Sequence, residues 1–296
     1  MEKYFNINNK KIFVEILGEE NIQALLYVHG GPGTGSYDFS QIQGKALSKA
    51  FKLVLVDQRG VLRSEHLSDK DTLSPYDIIE DFEYIRKELG IKSWNIINHS
   101  FGGYLTLLYY CKYPSSIEKI VFECPSFDFG LSLRELFRGA AKEYNALNNI
   151  DKAIQCENLA EANVTTEELW NELNLINELG ENRHNIYVHV SNKNFFNEII
   201  KDSKIEEKAW SGAVAHLTKL IEEGSFFKSA LHCLNQVKCP ALLITGRYDH
   251  VTCPKQIEAF KNNVVKGEHI LFQESAHFPR YEQSEEFSTT VINWCK

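Results

Sequence analysis

The sequence lacks a long hydrophobic run and has no surplus of positive charge. No apolar stretch approaches the roughly 20 residues that span a bilayer, and the opening segment, Met1 to Asn6, lacks the apolar core of a secretory signal. The 32 lysines and arginines are outnumbered by 40 aspartates and glutamates, which gives a net charge of −8. Nucleic acids and anionic membranes both attract basic surfaces. We therefore expect a cytoplasmic protein that binds neither of them.

Paired cysteines are also missing. The seven cysteines are scattered along the chain, and no two of them form a C-x2-C pair. An odd number without such pairs indicates neither a disulfide framework nor a zinc site. We expect buried thiols and no bound metal.

The chain contains short apolar runs that are separated by helix-like segments. Runs of this length without polar interruption are typical of strands buried on both faces of a parallel sheet. The strand candidates are 25–28, 53–56, 94–97, 120–122 and 242–245, with an antiparallel pair over 4–17 that turns at Asn8-Asn9. Between them, Ser74 and Pro75 begin a helix that closes at Gly90, and the apolar segment 104–113 stops at Pro114. This order predicts an α/β fold, a mostly parallel sheet with helices on both faces.

A long helical insertion interrupts the strand pattern between Pro125 and Pro240. Within it, Thr165 to Glu168 reads as a capping box for a helix that ends before Gly180, and 205–224 predicts a second helix. No fixed-period repeat is visible, which excludes a solenoid. The predicted division is a catalytic domain of residues 1–125 and 237–296 and a helical cap domain of residues 126–236.

A serine stands at a predicted junction between a strand and a helix. Ser100 follows the strand-like segment 94–98 and precedes Gly102 and Gly103. A sharp turn there lifts the serine hydroxyl above the sheet, and it needs small residues because the helix backs closely onto the strand. Asn98 stands where the G-x-S-x-G pattern of such turns has its first glycine, so the match is incomplete. Ser100 is the candidate nucleophile.

A histidine and an aspartate late in the chain are suited to activate this serine. A serine hydroxyl is inert at neutral pH until a base accepts its proton and a third group orients the base. His277 lies in a loop after the strand-like segment 270–272, and Asp249 follows the strand at 241–245. The order serine, aspartate, histidine is the one that this architecture imposes. We predict that Ser100, Asp249 and His277 form a catalytic triad.

Other residues compete for two of these roles. His99 and His250 each adjoin a triad residue in the sequence, and we expect them to be structural. Glu123 and Asp128, which follow an earlier strand, are alternative partners for His277. The sequence leaves that choice open.

A glycine-rich segment follows the first inner strand. His29 to Gly33 reads HGGPG, in which glycine lets the main chain approach a ligand and proline stiffens the turn. We predict that the N–H groups of Gly31 and of Phe101, the residue after the serine, form an oxyanion hole. A phosphate-binding loop is the alternative. It is disfavoured because the segment has neither G-x-G-x-x-G nor a following Lys-Ser/Thr pair.

Together these motifs resemble those of the proline iminopeptidase group of α/β-hydrolases. The resemblance rests on the HGGPG segment, on Asp57 to Gly60 with the sequence DQRG, on the Ser100 turn, and on the loops that hold Asp249 and His277. It implies an α/β-hydrolase fold with an inserted helical cap and a serine hydrolase that needs no cofactor. Many members release the N-terminal residue of a short peptide. The DQRG residues are expected to hold the loops in place.

The chain departs from that family in the cap. In the aminopeptidases a glutamate soon after a Trp-Ser pair binds the free ammonium of the substrate, whereas Trp210-Ser211 continues here with Gly-Ala-Val-Ala. An unpaired buried ammonium would be costly. Glu123 and Asp128 are the candidate replacement acids, with a surface or helix-capping role as the alternative for each. Trp210 is a candidate substrate-binding residue. Leu62 and Ala276 also stand where the family commonly has glycine.

Three functions stay open at this point. The first is cleavage of an aminoacyl amide or peptide bond through an acyl-enzyme. The second is a small-molecule carboxylesterase or lactonase, which would use the same triad. The third is a ligand-binding homologue without turnover, since Asn98 is placed to distort the serine turn. Each implies a small molecule or short peptide as the ligand, and the oligomeric state is not indicated.

Overall fold

A computed structural model describes residues 1–189, 198–199, 201 and 203–296 of the chain. Among them, eight strands form one sheet in the order β1-β2-β4-β3-β5-β6-β7-β8. The strands are β1 (Glu2–Ile7), β2 (Lys10–Leu17), β3 (Ala24–Val28), β4 (Lys52–Val56), β5 (Trp94–His99), β6 (Ile117–Glu123), β7 (Ala241–Gly246) and β8 (Gly267–Phe272). β2 is antiparallel to β1 and β4, and the remaining neighbours are parallel.

Helices cover both faces of the sheet. Leu26 and Val28 of β3 pack into one hydrophobic core, whereas Leu25 and Tyr27 pack into a second core on the opposite face. Such a strand has no polar face, which explains its continuous apolar run. The predicted fold class is confirmed.

The helices of the described residues fall into three groups along the chain. Those before β6 are Tyr37–Leu47, Pro75–Glu88 and Phe101–Lys112. Those between β6 and β7 are Phe129–Ala146, Ile150–Glu161, Thr166–Asn171, Asn174–Asn177, His184–Tyr187, Glu207–Trp210 and Gly212–Glu223. Those after β7 are Pro254–Asn263, Pro279–Glu282 and Ser284–Cys295. Short 3-10 turns lie at Pro114–Ser116, Gly180–Arg183, Ser225–Phe227 and Leu231–Gln236.

The insertion between β6 and β7 is helical, with differences from the sequence-based prediction. The capping box is present, since the Thr165 hydroxyl accepts the Glu168 N–H at 3.2 Å. The helix expected to continue to Gly180 is instead broken into short pieces. The helix predicted over 205–224 breaks before Gly212, where a Cβ atom would lie 2.4 Å from the carbonyl oxygen of Gly60. The domain limits near 125 and 237 stay a prediction.

Two expectations from composition can be compared with the structure. In the described part of the chain, no helix has the length and apolar character to cross a bilayer. All seven cysteines are free. Five are buried as predicted, but Cys111 and Cys239 are only half-buried.

Candidate active site

Ser100 occupies a strained turn between β5 and the helix Phe101–Lys112. Its φ of 54° and ψ of −122° lie in a region that costs a non-glycine residue about 1–3 kcal/mol. The main chain around it is held by hydrogen bonds, with its N–H donating to the Glu123 carbonyl at 3.2 Å. A Cβ atom on Gly102 would lie 2.2 Å from the Val28 carbonyl oxygen, so only glycine lets the helix pack this closely. The turn predicted from the sequence is therefore formed.

Asn98 does not prevent this turn. Its side chain is fully buried, and among the described residues neither its amide oxygen nor its amide nitrogen has a hydrogen-bond partner. Ser100 nevertheless keeps its positive φ. The distortion that motivated a non-catalytic function is not observed.

Asp249 and His277 are hydrogen-bonded to each other. The distance from His277 Nδ1 to Asp249 Oδ1 is 3.0 Å, and both side chains are almost fully buried. Asp249 also accepts the N–H groups of Val251 at 2.8 Å and Thr252 at 3.1 Å. Burial acts to raise the pKa of Asp249, but interaction with His277 and these hydrogen bonds outweigh it and lower the pKa. An ionised carboxylate only accepts, so Nδ1 carries the proton and Nε2 is left as the basic nitrogen.

His99 connects the serine turn to the histidine loop. Its Nε2 donates to the carbonyl oxygen of His277 at 2.9 Å, and it directly precedes Ser100 in the chain. Burial, together with the nearby charges of Arg280 and His277, lowers the pKa of His99 well below its ordinary value. His99 is therefore a neutral ring that donates to the histidine loop, which agrees with the structural role expected for it.

The HGGPG segment packs directly against the serine turn. A Cβ atom on Gly30 would lie 2.6 Å from the His99 carbonyl oxygen and 2.8 Å from Ser100 Cβ. Gly31 follows in a left-handed conformation with a φ of 108°. Phe101 begins a helix, where the first N–H groups lack partners within the helix. Gly30 therefore packs against Ser100, and the role of Gly31 and Phe101 as an oxyanion hole stays a prediction.

The DQRG segment supports the neighbouring loops. Gln58 N–H donates to His29 Nε2 at 3.1 Å, which ties this segment to the HGGPG segment. Asp57 is buried and accepts from Ser36 N–H at 2.9 Å. Arg59 pairs with Asp81, with Nε to Oδ2 at 3.0 Å. These contacts agree with the structural role expected for the segment.

The carboxylate of Glu123 is paired with Arg280, which argues against its prediction as a substrate-binding acid. It is fully buried, and its two carboxylate oxygens accept the main-chain N–H and Nη1 of Arg280 at 2.9 and 3.1 Å. A carboxylate used in this way has no free face for an ammonium group. Asp128 is used as a helix cap and accepts Leu131 N–H at 2.9 Å. Asp249 is therefore the acid that meets His277.

Trp210 lies where the cap meets the loop after β3. Its ring contacts Tyr37 edge to face, with 6.3 Å between centroids. A Cβ atom on Gly33 would lie 3.1 Å from the Cα atom of Ala213, which comes three residues after Trp210. The cap is thus seated on the HGGPG segment through an alanine, and a substrate-binding role for Trp210 stays a prediction.

Some side chains around the triad were missed by the sequence analysis. Cys124 has a φ of 42°, and its Sγ, with one ligand atom each of Asp249 and His277, forms a group within 4.8 Å. Burial raises the pKa of the Cys124 thiol well above its ordinary value, with nearby carboxylates adding to the rise. The carboxylate of Glu282 accepts the N–H of Ala276 at 2.8 Å. The only available signal was position, directly after β6 for Cys124 and soon after His277 for Glu282.

The cap also bonds to the histidine loop. The main-chain N–H of His277 donates to the carbonyl oxygen of Tyr187 at 3.0 Å. Tyr187 ends the short cap helix His184–Tyr187. The position of the loop therefore depends in part on the cap.

Comparison with known proteins agrees with this architecture. The family model of the α/β-hydrolase fold matches residues 23–283, so the chain belongs to that family. It is 25% identical over 276 residues to the proline iminopeptidase of Heyndrickxia coagulans, covering 90% of this chain and 88% of that relative. The structure of a proline iminopeptidase from Mycobacterium smegmatis superposes with a TM-score of 0.70 at 17% identity, covering 100% and 97% of the two chains. An esterase from Exiguobacterium antarcticum gives a TM-score of 0.70 at 15% identity, covering 100% and 99%.

These relationships confirm the resemblance predicted from the sequence. The chain is a hydrolase of the α/β-hydrolase family. Within it, the chain is similar to the proline iminopeptidases.

Proposed function

We propose that this chain is a serine hydrolase that cleaves an aminoacyl amide or peptide bond through an acyl-enzyme on Ser100. The observation that carries the proposal is the 3.0 Å bond between Asp249 and His277, in a loop that His99 ties to the strained serine turn. An oriented base beside a serine held in such a turn is the arrangement that nucleophilic catalysis requires.

The first half of the proposed reaction forms the acyl-enzyme. Ser100 Oγ attacks the carbonyl carbon of the substrate while His277 Nε2 accepts the hydroxyl proton. The oxyanion that develops is bound by the N–H groups of Gly31 and Phe101, which contribute about 10²–10³ in rate for each donor. When the C–N bond breaks, His277 gives its proton to the departing amine.

The second half releases the acid. A water molecule attacks the acyl carbon, and His277 accepts one of its protons. The ester bond to Ser100 then breaks, and the proton returns to Oγ. Asp249 stays ionised throughout and keeps the imidazole oriented, consistent with the lowered pKa of its carboxyl.

Similarity to proline iminopeptidases supports an amide substrate with a free N-terminal residue. A second candidate, a small ester or lactone, is favoured by a specific observation, since the carboxylate of Glu123 is taken by Arg280. In either case Trp210, at the contact between cap and loop, is the proposed substrate-binding residue. The proposal includes a cytoplasmic location and a small-molecule or short-peptide substrate, with no nucleic acid or membrane as partner.

Labelling with a fluorophosphonate probe tests the nucleophile. The wild-type protein is expected to acquire one covalent label, and Ser100→Ala is expected to acquire none and to lose about 10⁶-fold in kcat. Alanine meets the same backbone strain as serine, so circular dichroism should show an unchanged fold. A folded wild-type protein that never labels would favour a ligand-binding homologue.

Two substrate series separate the amide from the ester. Naphthylamides of proline and other amino acids are compared with their N-blocked versions, and p-nitrophenyl esters of increasing chain length measure the size of the pocket. An aminopeptidase is expected to require the free amine. Equal rates on blocked and free amides, with faster turnover of the esters, would assign the esterase.

A further inference from the structure

We propose that Glu123 is a positioning residue, whose buried ion pair with Arg280 fixes the histidine loop against the serine turn. This inference rests on the proposed function. It gives a role to a carboxylate that sequence analysis had assigned to the substrate.

Glu123 holds the serine turn with its main chain. It is the last residue of β6 and lies opposite His99 of β5 in the sheet register. Its carbonyl oxygen accepts the N–H of Ser100 at 3.2 Å, and three residues later Ser126 N–H donates to the Ser100 carbonyl at 2.9 Å. The strained residue is therefore bonded on both sides by one short segment.

The side chain of Glu123 holds the histidine loop. Oε1 accepts the main-chain N–H of Arg280 at 2.9 Å, and Oε2 accepts Nη1 at 3.1 Å. Arg280 comes three residues after His277, in the short helix Pro279–Glu282. One residue thus holds the nucleophile through its main chain and the base through its carboxylate.

Arg280 extends this connection to the loop after β3. Its Nη2 donates to Asp38 Oδ2 at 2.8 Å, and its carbonyl oxygen accepts Gln43 Nε2 at 2.7 Å. Asp38 and Gln43 belong to the helix Tyr37–Leu47, which follows the HGGPG segment. Arg280 therefore links the histidine loop both to Glu123 and to the helix that follows the HGGPG segment.

The position of His277 relative to Ser100 depends on more than its bond to Asp249. Its imidazole is oriented by Asp249, but that bond sets the ring angle and not the distance to the serine. Arg280 is 2% exposed and cannot move without separating buried charges. A displacement of about 1 Å in such a loop is enough to cost about 100-fold in rate.

The test compares Glu123→Gln with a matched control, Glu83→Gln. Glu83 is also a buried glutamate paired with an arginine, with Oε2 accepting Arg86 Nε at 2.9 Å, but it lies on the helix Pro75–Glu88. Glutamine has the size of glutamate, but its amide nitrogen replaces one of the two oxygens that accept from Arg280. Two donors then face each other, and one of the two hydrogen bonds is lost. We expect Glu123→Gln to lose about 100-fold in kcat and in the rate of fluorophosphonate labelling, with KM unchanged. Glu83→Gln is expected to react like the wild type at equal folded fraction.

A spectroscopic measurement separates positioning from general destabilisation. The proton on His277 Nδ1, shared with Asp249, gives a downfield resonance in the proton NMR spectrum. We expect it to shift or broaden in Glu123→Gln and to stay in place in Glu83→Gln. If Glu123→Gln does not fold, Arg280→Lys decides the question. Lysine keeps the charge and the main-chain N–H but has a single nitrogen in place of Nη1 and Nη2, which contact Glu123 and Asp38 separately.

The outcomes distinguish this inference from the proposed function. A wild-type protein that labels on Ser100, with Glu123→Gln or Arg280→Lys labelling equally fast and showing the same resonance, overturns the inference alone. A wild-type protein that does not label overturns the proposed function and this inference with it. A slow variant with normal KM and a displaced resonance supports both.

Discussion

The serine turn and the histidine loop lie side by side but are built by different means. The turn is made by close packing of the main chain, with Gly30 and Gly102 admitting neighbours that a side chain would displace. The loop around His277 is held by carboxylates, of which Asp249 and Glu123 are distant in the chain and Glu282 is nearby. A turn made by glycines leaves a motif in the sequence, whereas a loop held by remote carboxylates does not.

Apart from removal of the nucleophile itself, the largest effect is expected on the histidine side of this comparison. Asp249→Asn is expected to lower kcat by about 10⁴-fold, because an amide no longer fixes the proton on Nδ1 of His277. Hydrolysis of a p-nitrophenyl ester measures the loss, and circular dichroism checks that the variant is folded. A loss below tenfold would mean that another group orients the base.

The same variant has a defined pH dependence. The pKa of Asp249 is lowered from its ordinary 3.8, so its ionised form adds stability above that pH and the contribution disappears as pH falls through the folded value. The difference in free energy of unfolding between the wild type and Asp249→Asn is therefore expected to be constant above about pH 5 and to shrink in more acidic solution. Urea denaturation at several pH values measures it. A difference that grows on acidification would contradict the assignment.

A smaller effect is expected on the serine side. Gly30→Ala places a Cβ atom 2.6 Å from the His99 carbonyl oxygen, so the HGGPG segment, which holds the proposed oxyanion donor Gly31, must move away from Ser100. We expect a loss of about 10²–10³-fold in kcat, the size of one oxyanion donor. Gly90→Ala is the control, because that position has a positive φ but no atom within 4 Å of the new Cβ. The control should lose stability and keep its activity.

The α/β sheet, the strained turn at Ser100 and the Asp249–His277 bond were predictable because each follows from a local pattern, whereas the role of these residues as a triad stays a prediction. β3 is buried on both faces and is therefore continuously apolar, and each triad residue follows a strand. The Glu123–Arg280 pair joins residues 157 positions apart, and no local pattern marks it. The cap helices are shorter than predicted. One break precedes Gly212, which packs closely against the Gly60 carbonyl oxygen, a contact between distant residues that no local pattern marks.

The smallest expected effect lies in the cap. Thr165→Ala removes the hydroxyl that accepts Glu168 N–H, which should cost about 1 kcal/mol of stability. The helix Thr166–Asn171 makes none of the hydrogen bonds described for Ser100, Asp249 and His277, so kcat on p-nitrophenyl esters is expected to be unchanged. The urea midpoint and the rate are measured on one preparation. A change in rate without a change in midpoint would show that the cap tunes the chemistry directly.

The hydrogen bond from His277 N–H to the Tyr187 carbonyl, 3.0 Å long, limits how this enzyme can be re-engineered. Replacing the cap by that of another protein would remove the Tyr187 carbonyl and leave the buried N–H of His277, the proposed general base, without a partner. A chimera must therefore place a carbonyl oxygen where that of Tyr187 lies, whatever the shape of its new pocket. Grafts that ignore this requirement are expected to fold and bind yet turn over poorly.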